Sequence, residues 1–312
     1  MQVAGVDVGG TNIGAGLVDE THAVVADAKM ETPRSGPELV DAVVELVQGL
    51  GGDPVAVGLA IPGVVDDRDV LVVPNLSGWD DDFDIAERVE KRLGLPVALG
   101  NDANVGVIGE WLAGAAVGHD DVLGVWMGTG IGGGLILDGR PYRGARGGAG
   151  ELGHVVVRQG GALCGCGRRG CVEAYAGRAS LARAVDTMVG AGRETRLFEI
   201  QAQEGKPRLT SRVWEAALAE GDALATELFD TAVDALAAGI GSVVNMLDVE
   251  LVVIGGGMAE KLGQDLADRI GDAAERWILH RSPELSLVVA ELGDDSGIVG
   301  AASLGRALAI AG

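Results

Sequence analysis

Three apolar runs of the chain end in glycine-rich turns. They are Asp7-Val8-Gly9-Gly10-Thr11-Asn12, Gly128-Thr129-Gly130-Ile131-Gly132-Gly133-Gly134 and Gly255-Gly256-Gly257. Glycine has no Cβ, so successive backbone N–H groups can converge on an anion, and a neighbouring threonine hydroxyl adds a donor. One such turn is explained by a tight hairpin that needs positive φ. Three of them, two opening similar halves of the chain, point to a phosphorylated ligand. No lysine is followed by Ser or Thr, and the single Gly-Lys pair, Gly205-Lys206, is followed by Pro207, so no P-loop is present. Gly128-Thr129-Gly130 leads into a second strand candidate rather than a helix, which sets it apart from a dinucleotide fingerprint.

Two acids at strand ends could act with these turns. Asn101-Asp102 follows the strand candidate 96–100 and precedes a helix. A carboxylate there can face a ligand and take the proton of a hydroxyl attacking phosphorus. The plainer role for Asp102 is a helix N-cap. Asp7 precedes the first glycine pair and is placed to hold a Mg²⁺ ion through water. The plainer role for Asp7 is a strand-end turn former.

All three cysteines, Cys164, Cys166 and Cys171, lie within eight residues, and His154 precedes them by ten. An odd, clustered set argues for a metal rather than disulfides. Three thiolates and one imidazole make a Cys₃His structural zinc set, since zinc takes four N or S ligands. Buried thiols beside an unrelated histidine are the alternative.

These groups need a frame. Strand candidates at 3–8, 13–18 and 22–28 form an antiparallel meander. A helix over 37–50, a strand at 55–61 stopped by Pro62-Gly63, a helix at 84–93, a strand at 96–100 and a helix at 103–114 follow. The pattern then restarts with strands at 122–127, 134–137 and 153–157 and helices at 178–190 and 211–247. A strand at 250–254, a helix at 259–279, a strand at 285–289 and a helix at 298–310 complete it. The spacing thus predicts a duplicated α/β unit: two related domains with a ligand cleft between them. The first domain is expected over 1–117, joined by the last helix at about 298–312. The second, with the zinc set, is expected over 118–297.

Composition narrows the function. The 312 residues include 24 basic and 46 acidic side chains, a formal charge of −22, which opposes binding to nucleic acid or anionic membranes. Apolar residues make up 47%, enough for a sizeable core, and aromatics only 3%. The longest uncharged run, Val122 to Leu137, holds six glycines and falls short of a membrane span. No signal peptide is visible. A cytoplasmic protein is expected.

The two long glycine motifs resemble the phosphate motifs of the ROK family of sugar kinases and repressors, and the likeness runs along essentially the whole chain. Asn101-Asp102-Ala103-Asn104 with Gly109-Glu110 resembles that family's catalytic segment. Gly150-Glu151-Leu152-Gly153-His154 with the cysteine cluster resembles its zinc segment. Pro74-Asn75-Leu76-Ser77-Gly78-Trp79 and Cys171-Val172-Glu173-Ala174-Tyr175 resemble its glucokinases. The resemblance implies a duplicated actin-like (RNase H-like) ATPase fold, with ATP, Mg²⁺ and structural Zn²⁺ as cofactors. It implies that the first turn holds the terminal phosphates and metal, the second the other phosphate oxygens, and that Gly255, Gly256 and Gly257 pass beneath the adenosine. Asp102 becomes the general base. Gly63, Asn101, Glu151, His154 and Glu173 become sugar ligands, with one His154 ring nitrogen on zinc and the other on a sugar hydroxyl. The expected reaction is phosphorylation of a hexose at its 6-hydroxyl, glucose first, with fructose, mannose or N-acetylmannosamine as alternatives. Family members are commonly dimers or tetramers, so a homodimer or homotetramer is expected. The repressor branch carries an N-terminal helix-turn-helix, for which a first strand at Val3 leaves no room. A non-catalytic sugar sensor is disfavoured by the presence of Asp102 and both phosphate turns.

Overall fold

The computed structural model describes residues 1–66, 69–72, 83–280 and 285–311. The glucokinase-like segment Pro74–Trp79 lies outside the described residues. The chain begins with β1 (Val3–Val8), β2 (Asn12–Val18), β3 (Val24–Glu31), α1 (Gly36–Gly49), β4 (Val57–Ile61), β5 (Val64–Asp66) and β6 (Asp69–Val72). Then come α2 (Ile85–Leu93), β7 (Val97–Asn101), α3 (Asp102–Ala113), β8 (Val122–Met127), β9 (Ile131–Leu137) and β10 (Arg140–Pro141). After a single 3₁₀ turn at Leu152–His154 follow α4 (Glu173–Ala176), α5 (Arg178–Gly190), α6 (Leu197–Gln203), α7 (Ser211–Ala219) and α8 (Ala223–Leu247). The remainder is β11 (Leu251–Gly255), α9 (Gly257–Leu262), α10 (Gln264–Ala274), a 3₁₀ turn at Glu275–Trp277, β12 (Ser286–Val289) and α11 (Asp295–Ala311).

Two five-stranded mixed sheets result, of order β3-β2-β1-β4-β7 and β10-β9-β8-β11-β12. In the first, β1, β2 and β3 form the expected antiparallel meander, while β4 and β7 run parallel to β1. In the second, β11 runs parallel to both β8 and β12. The same order of strands is thus used twice. The parallel strands β4 and β11 are buried along their whole length, as strands with both faces covered must be.

The chain divides into two compact units. Unit 1 is Met1–Asp120, Gly134–Gly150 and Glu291–Gly312; unit 2 is Asp121–Gly133 and Glu151–Ala290. Gly134–Gly150 groups with unit 1, although the sequence pattern assigned all of 118–297 to the second domain. Close approach to α3 explains this: a Cβ on Gly134 would lie 2.7 Å from Val107 Cγ1 and 2.9 Å from the Asn104 Cα.

In unit 1, α1 and α2 cover one face of the sheet, burying Leu39, Val43, Val47, Ile85 and Val89 against Val6, Ile13, Leu59 and Leu99. Ser35 caps α1, Asp84 caps α2, and Gly94 ends α2 in the left-handed conformation. The other face receives α11. There Gly5 and Gly58 have no side chain to hold the helix away; a Cβ on either would strike the α11 carbonyls of Ile298 or Ala301. Glu110 of α3 is fully buried, and its carboxylate accepts from the backbone N–H groups of Ala115, Glu291 and Leu292 at 2.9–3.0 Å. These bonds compensate the burial of its charge.

Several expected elements take another form. The helix expected over 211–247 is two, because Gly221 adopts φ +72° and Asp222 caps α8 through Ala225 N–H. The helix expected over 259–279 breaks at Gly263, φ +64°. The strand expected at 153–157 is replaced by the 3₁₀ turn Leu152–His154, where His154 N–H reaches back to the Glu151 carbonyl. Only Val156 keeps a β-type bridge, to Cys171. Among the described residues, no helix is long and apolar enough to cross a membrane.

Candidate active site and metal centre

Unit 1 brings Asp7, Gly9–Asn12, Gly63, Asn101 and Asp102 into one sheet frame, because β1, β4 and β7 are parallel neighbours. Their carboxyl ends therefore lie on one edge, where ligands of open α/β sheets bind. The first glycine turn is a hairpin between β1 and β2. Gly9 N–H donates to the Asn12 carbonyl at 3.0 Å, and the Thr32 hydroxyl donates to the Gly9 carbonyl at 2.6 Å. Gly10, Thr11 and the Asn12 side chain are exposed, and nothing lies within 4 Å of a Cβ built on Gly10.

Asn101, not Asp102, is the cap of α3. Its Oδ1 accepts from Asn104 N–H at 2.9 Å. Its Nδ2 donates to the Gly63 carbonyl at 2.8 Å and to Asp102 Oδ1 at 3.0 Å. Gly63 has φ +128°, a conformation side chains rarely adopt. The Asp102 carboxylate is thereby held at the start of α3, half-buried, without serving as the cap. Asp7, half-buried at the end of β1, is pushed up to about 7 by burial and by the negative charges of Asp102 and Asp294, with Lys29 acting in the other direction. A carboxylate crowded by two others is relieved by a cation.

Unit 2 carries the other turns. Gly128 N–H donates to the Gly130 carbonyl at 3.0 Å. Glu173, the first residue of α4, accepts from Ile131 N–H at 3.0 Å through Oε2, and a Cβ on Gly130 would strike that carboxylate. Gly132 lies inside β9 rather than in the turn. The third turn passes from β11 to α9 through Gly256, φ +85°, whose Cβ would lie 2.8 Å from the Met127 carbonyl. Gly255 packs against Trp126, and Gly257 against the Ser211 hydroxyl.

The cysteines and His154 come together. Each offers one ligand atom, and these atoms all lie within 4.8 Å of one another. His154 Nδ1 is 3.7 Å from Cys164 Sγ, and Cys166 Sγ is 3.8 Å from Cys171 Sγ. Bonds of about 2.3 Å to sulfur and about 2.0 Å to nitrogen give tetrahedral edges of about 3.5–3.8 Å, so the donor set fits zinc. Because Nδ1 faces the thiols, Nε2 is the ring nitrogen left for a second partner. Hydrogen bonding to Arg168 lowers the Cys166 thiol to about 6, whereas burial raises Cys164 to about 12. Glu173 joins this cluster to the second turn: its Oε1 is 3.6 Å from Cys164 Sγ. Glu151 is half-buried and precedes the 3₁₀ turn that carries His154.

Sequence reasoning missed Thr32, Arg178 and Ser211. Arg178 donates to the Thr129 and Ser211 hydroxyls. Its partners are 49 and 33 residues away, so no local motif exposes it.

Comparison with known proteins gives the lineage. The ROK family model matches residues 3–307. The chain is 34% identical over 309 residues to the glucokinase of Streptomyces coelicolor, covering 97% of this chain and 96% of the relative. The crystal structure of a ROK family glucokinase from Streptomyces griseus with glucose and AMPPNP superposes with a TM-score of 0.86 at 36% identity, covering 98% of this chain and all of that one. The ROK hexokinase of Thermus thermophilus gives 0.84 at 33%, each chain fully covered. These neighbours have the duplicated actin-like ATPase fold, which accounts for the strand order used twice. The chain belongs to the ROK family.

Proposed function

We infer that the protein is a glucokinase, transferring the γ-phosphoryl group of ATP to the 6-hydroxyl of glucose. The observation that carries this reading is the Asn101–Asp102 pair: Asn101 caps α3 and grips the Gly63 carbonyl, so Asp102 stands as an oriented carboxylate at a sheet edge. Full-length likeness to the Streptomyces glucokinases supports the sugar and the donor.

In this reading Asp102 takes the proton of the 6-hydroxyl as that oxygen attacks the γ-phosphorus, and the bond to the bridging oxygen of ADP breaks. Asn101, Glu151, His154 Nε2, Glu173 and the Gly63 backbone orient the sugar; carboxylates suit hydroxyls because each oxygen accepts a hydrogen bond. Gly9–Asn12 and Gly128–Gly130 present N–H and hydroxyl donors to the phosphates, and Gly255–Gly257 lie under the adenosine. Asp7 would hold the Mg²⁺ shell through water. When bound, the ion supplies charge neutralisation between phosphate oxygens. His154, Cys164, Cys166 and Cys171 would hold zinc, which orders the segment bearing Glu151 and Glu173 and sets the His154 tautomer.

The test is ADP production with Mg-ATP and a panel of hexoses, in low and high salt, beside Asp102→Ala. Glucose is expected in front, with the variant's kcat lower by about 10²–10⁴-fold. Another hexose in front replaces the substrate and keeps the mechanism. No sugar-dependent turnover, with zinc content verified, overturns the reading.

A further inference from the structure

Arg178 opens α5 directly after the segment that carries the cysteines. Its backbone N–H donates to the Gly128 carbonyl at 3.3 Å, and the next N–H, of Ala179, to the Thr129 carbonyl at 3.0 Å. Its Nη2 donates to Thr129 Oγ1 at 3.2 Å and its Nη1 to Ser211 Oγ at 3.1 Å. Ser211 Oγ in turn lies 3.3 Å from a Cβ built on Gly257. Arg178 and Ser211 together therefore link the second glycine turn to the third.

Its charge is unusual for this chain. With 46 acids against 24 bases, a carboxylate is the default neighbour of a cation, and Arg193, Arg196, Arg212, Arg269 and Arg276 of unit 2 all have one. Among the described residues no carboxylate pairs with Arg178, although it is half-buried. Burial and the positive charge of Arg208 both push its pKa down. A half-buried guanidinium under the positive charge of Arg208 and bonded to two hydroxyls has no carboxylate counter-ion among the described residues. A guanidinium has five N–H donors, and the two hydroxyl bonds leave the remainder for phosphoryl oxygens in its planar fork.

We propose that Arg178 is a phosphate-binding residue of the nucleotide site, its fork held by Thr129 and Ser211 between the second and third glycine turns. The inference rests on the ATP-dependent reading above and adds to it the source of positive charge at the second turn. Thr129 and Ser211 act as positioning residues for the guanidinium, and the nucleotide's polyphosphate is the missing counter-ion.

The experiment is calorimetric titration of wild type, Arg178→Met and Arg178→Lys with adenosine, ADP, AMPPNP and glucose. In Arg178→Met the affinity for ADP and AMPPNP is expected to fall about 10–100-fold, the scale of a charged hydrogen bond, while adenosine and glucose stay within about twofold. Arg178→Lys keeps the charge but not the fork, and falls between; it also carries the test if the methionine variant does not fold. Unchanged ADP and AMPPNP affinity, or a parallel loss of adenosine and glucose binding, overturns the proposal in favour of a structural tie. A wild type that binds glucose but no adenine nucleotide removes the ATP reading itself, and this inference with it.

Discussion

The first and second glycine turns are built on the same strand order, yet each is charged and supported in the opposite way. The first is a hairpin tied to Thr32, and its neighbouring group, Asp7, is an acid crowded by Asp102 and Asp294. The second is propped by Glu173 and flanked by Arg178, a base crowded by Arg208. The crowded group is an acid at one turn and a base at the other. The two halves of a duplicated fold thus differ in the charge set beside the matching turn.

Emptying the zinc site proposed for His154, Cys164, Cys166 and Cys171 gives the largest expected effect on this comparison. The second turn leans on Glu173, which follows Cys171 by two residues, whereas the first turn has no link to the metal set within its unit. Metal-free protein, prepared by chelation or as Cys171→Ser, is expected to lose sugar-dependent turnover by at least about tenfold to hundredfold, the scale seen when metal-site support fails. Zinc content and glucose-induced thermal stabilisation are measured together. Full activity and a full glucose shift without metal would show that the turn stands unaided.

Paired alanine substitutions sharpen the contrast. Gly130→Ala drives a Cβ onto the Glu173 carboxylate, which must swing away and give up its bond from Ile131 N–H, so both Tm and ATP affinity are expected to fall. Gly10→Ala meets nothing within 4 Å, and Gly10 is not in the left-handed region, so Tm stays within about a degree while the KM for ATP rises about tenfold as the methyl obstructs phosphate. Equal Tm losses in the two variants would remove the distinction between a turn propped by a carboxylate and one with open space at Gly10.

The smallest effect concerns Asp7 and pH. Its folded pKa, about 7, lies above the ordinary 3.8, so the folded state prefers the protonated form. Stability is lost as pH rises from about 4 to about 7, where the folded carboxyl finally ionises. Asp7→Asn is therefore expected to raise Tm by a few degrees at pH 8 and leave it unchanged near pH 4, by thermal unfolding without nucleotide. Mg-ATP should stabilise wild type more than the variant. A variant that melts below wild type at pH 8 would mean that Asp7 is not strained.

Much of this was legible in the residues because it is local. The turns after β1, β8 and β11, the Asn101-Asp102 step and the Cys₃His spacing are all short-range patterns, and each set meets in space within its own unit. The meander and the buried strands follow from apolar runs bounded by turn residues. What stayed hidden is non-local. Gly134–Gly150 sides with unit 1 because of its approach to α3, which no composition change marks. Asp102 reads as an N-cap by residue type, and only the geometry shows Asn101 taking that role. The 3₁₀ turn at Leu152–His154 looks like a strand because its apolar neighbours are buried by the cysteine segment rather than by a sheet.

The return of α11 to unit 1 has a consequence for the order in which the protein can be made. Two of the three N–H groups that satisfy buried Glu110 lie 181 and 182 residues downstream of it, and Gly5 and Gly58 await a helix from the same late segment. A ribosome therefore releases the first sheet long before the helix that closes its second face. Until then the nascent chain carries an apolar face without a cover and a carboxylate with one of its three partners. Unit 1 matures after unit 2 has been synthesised, although its first strands were made before any of it.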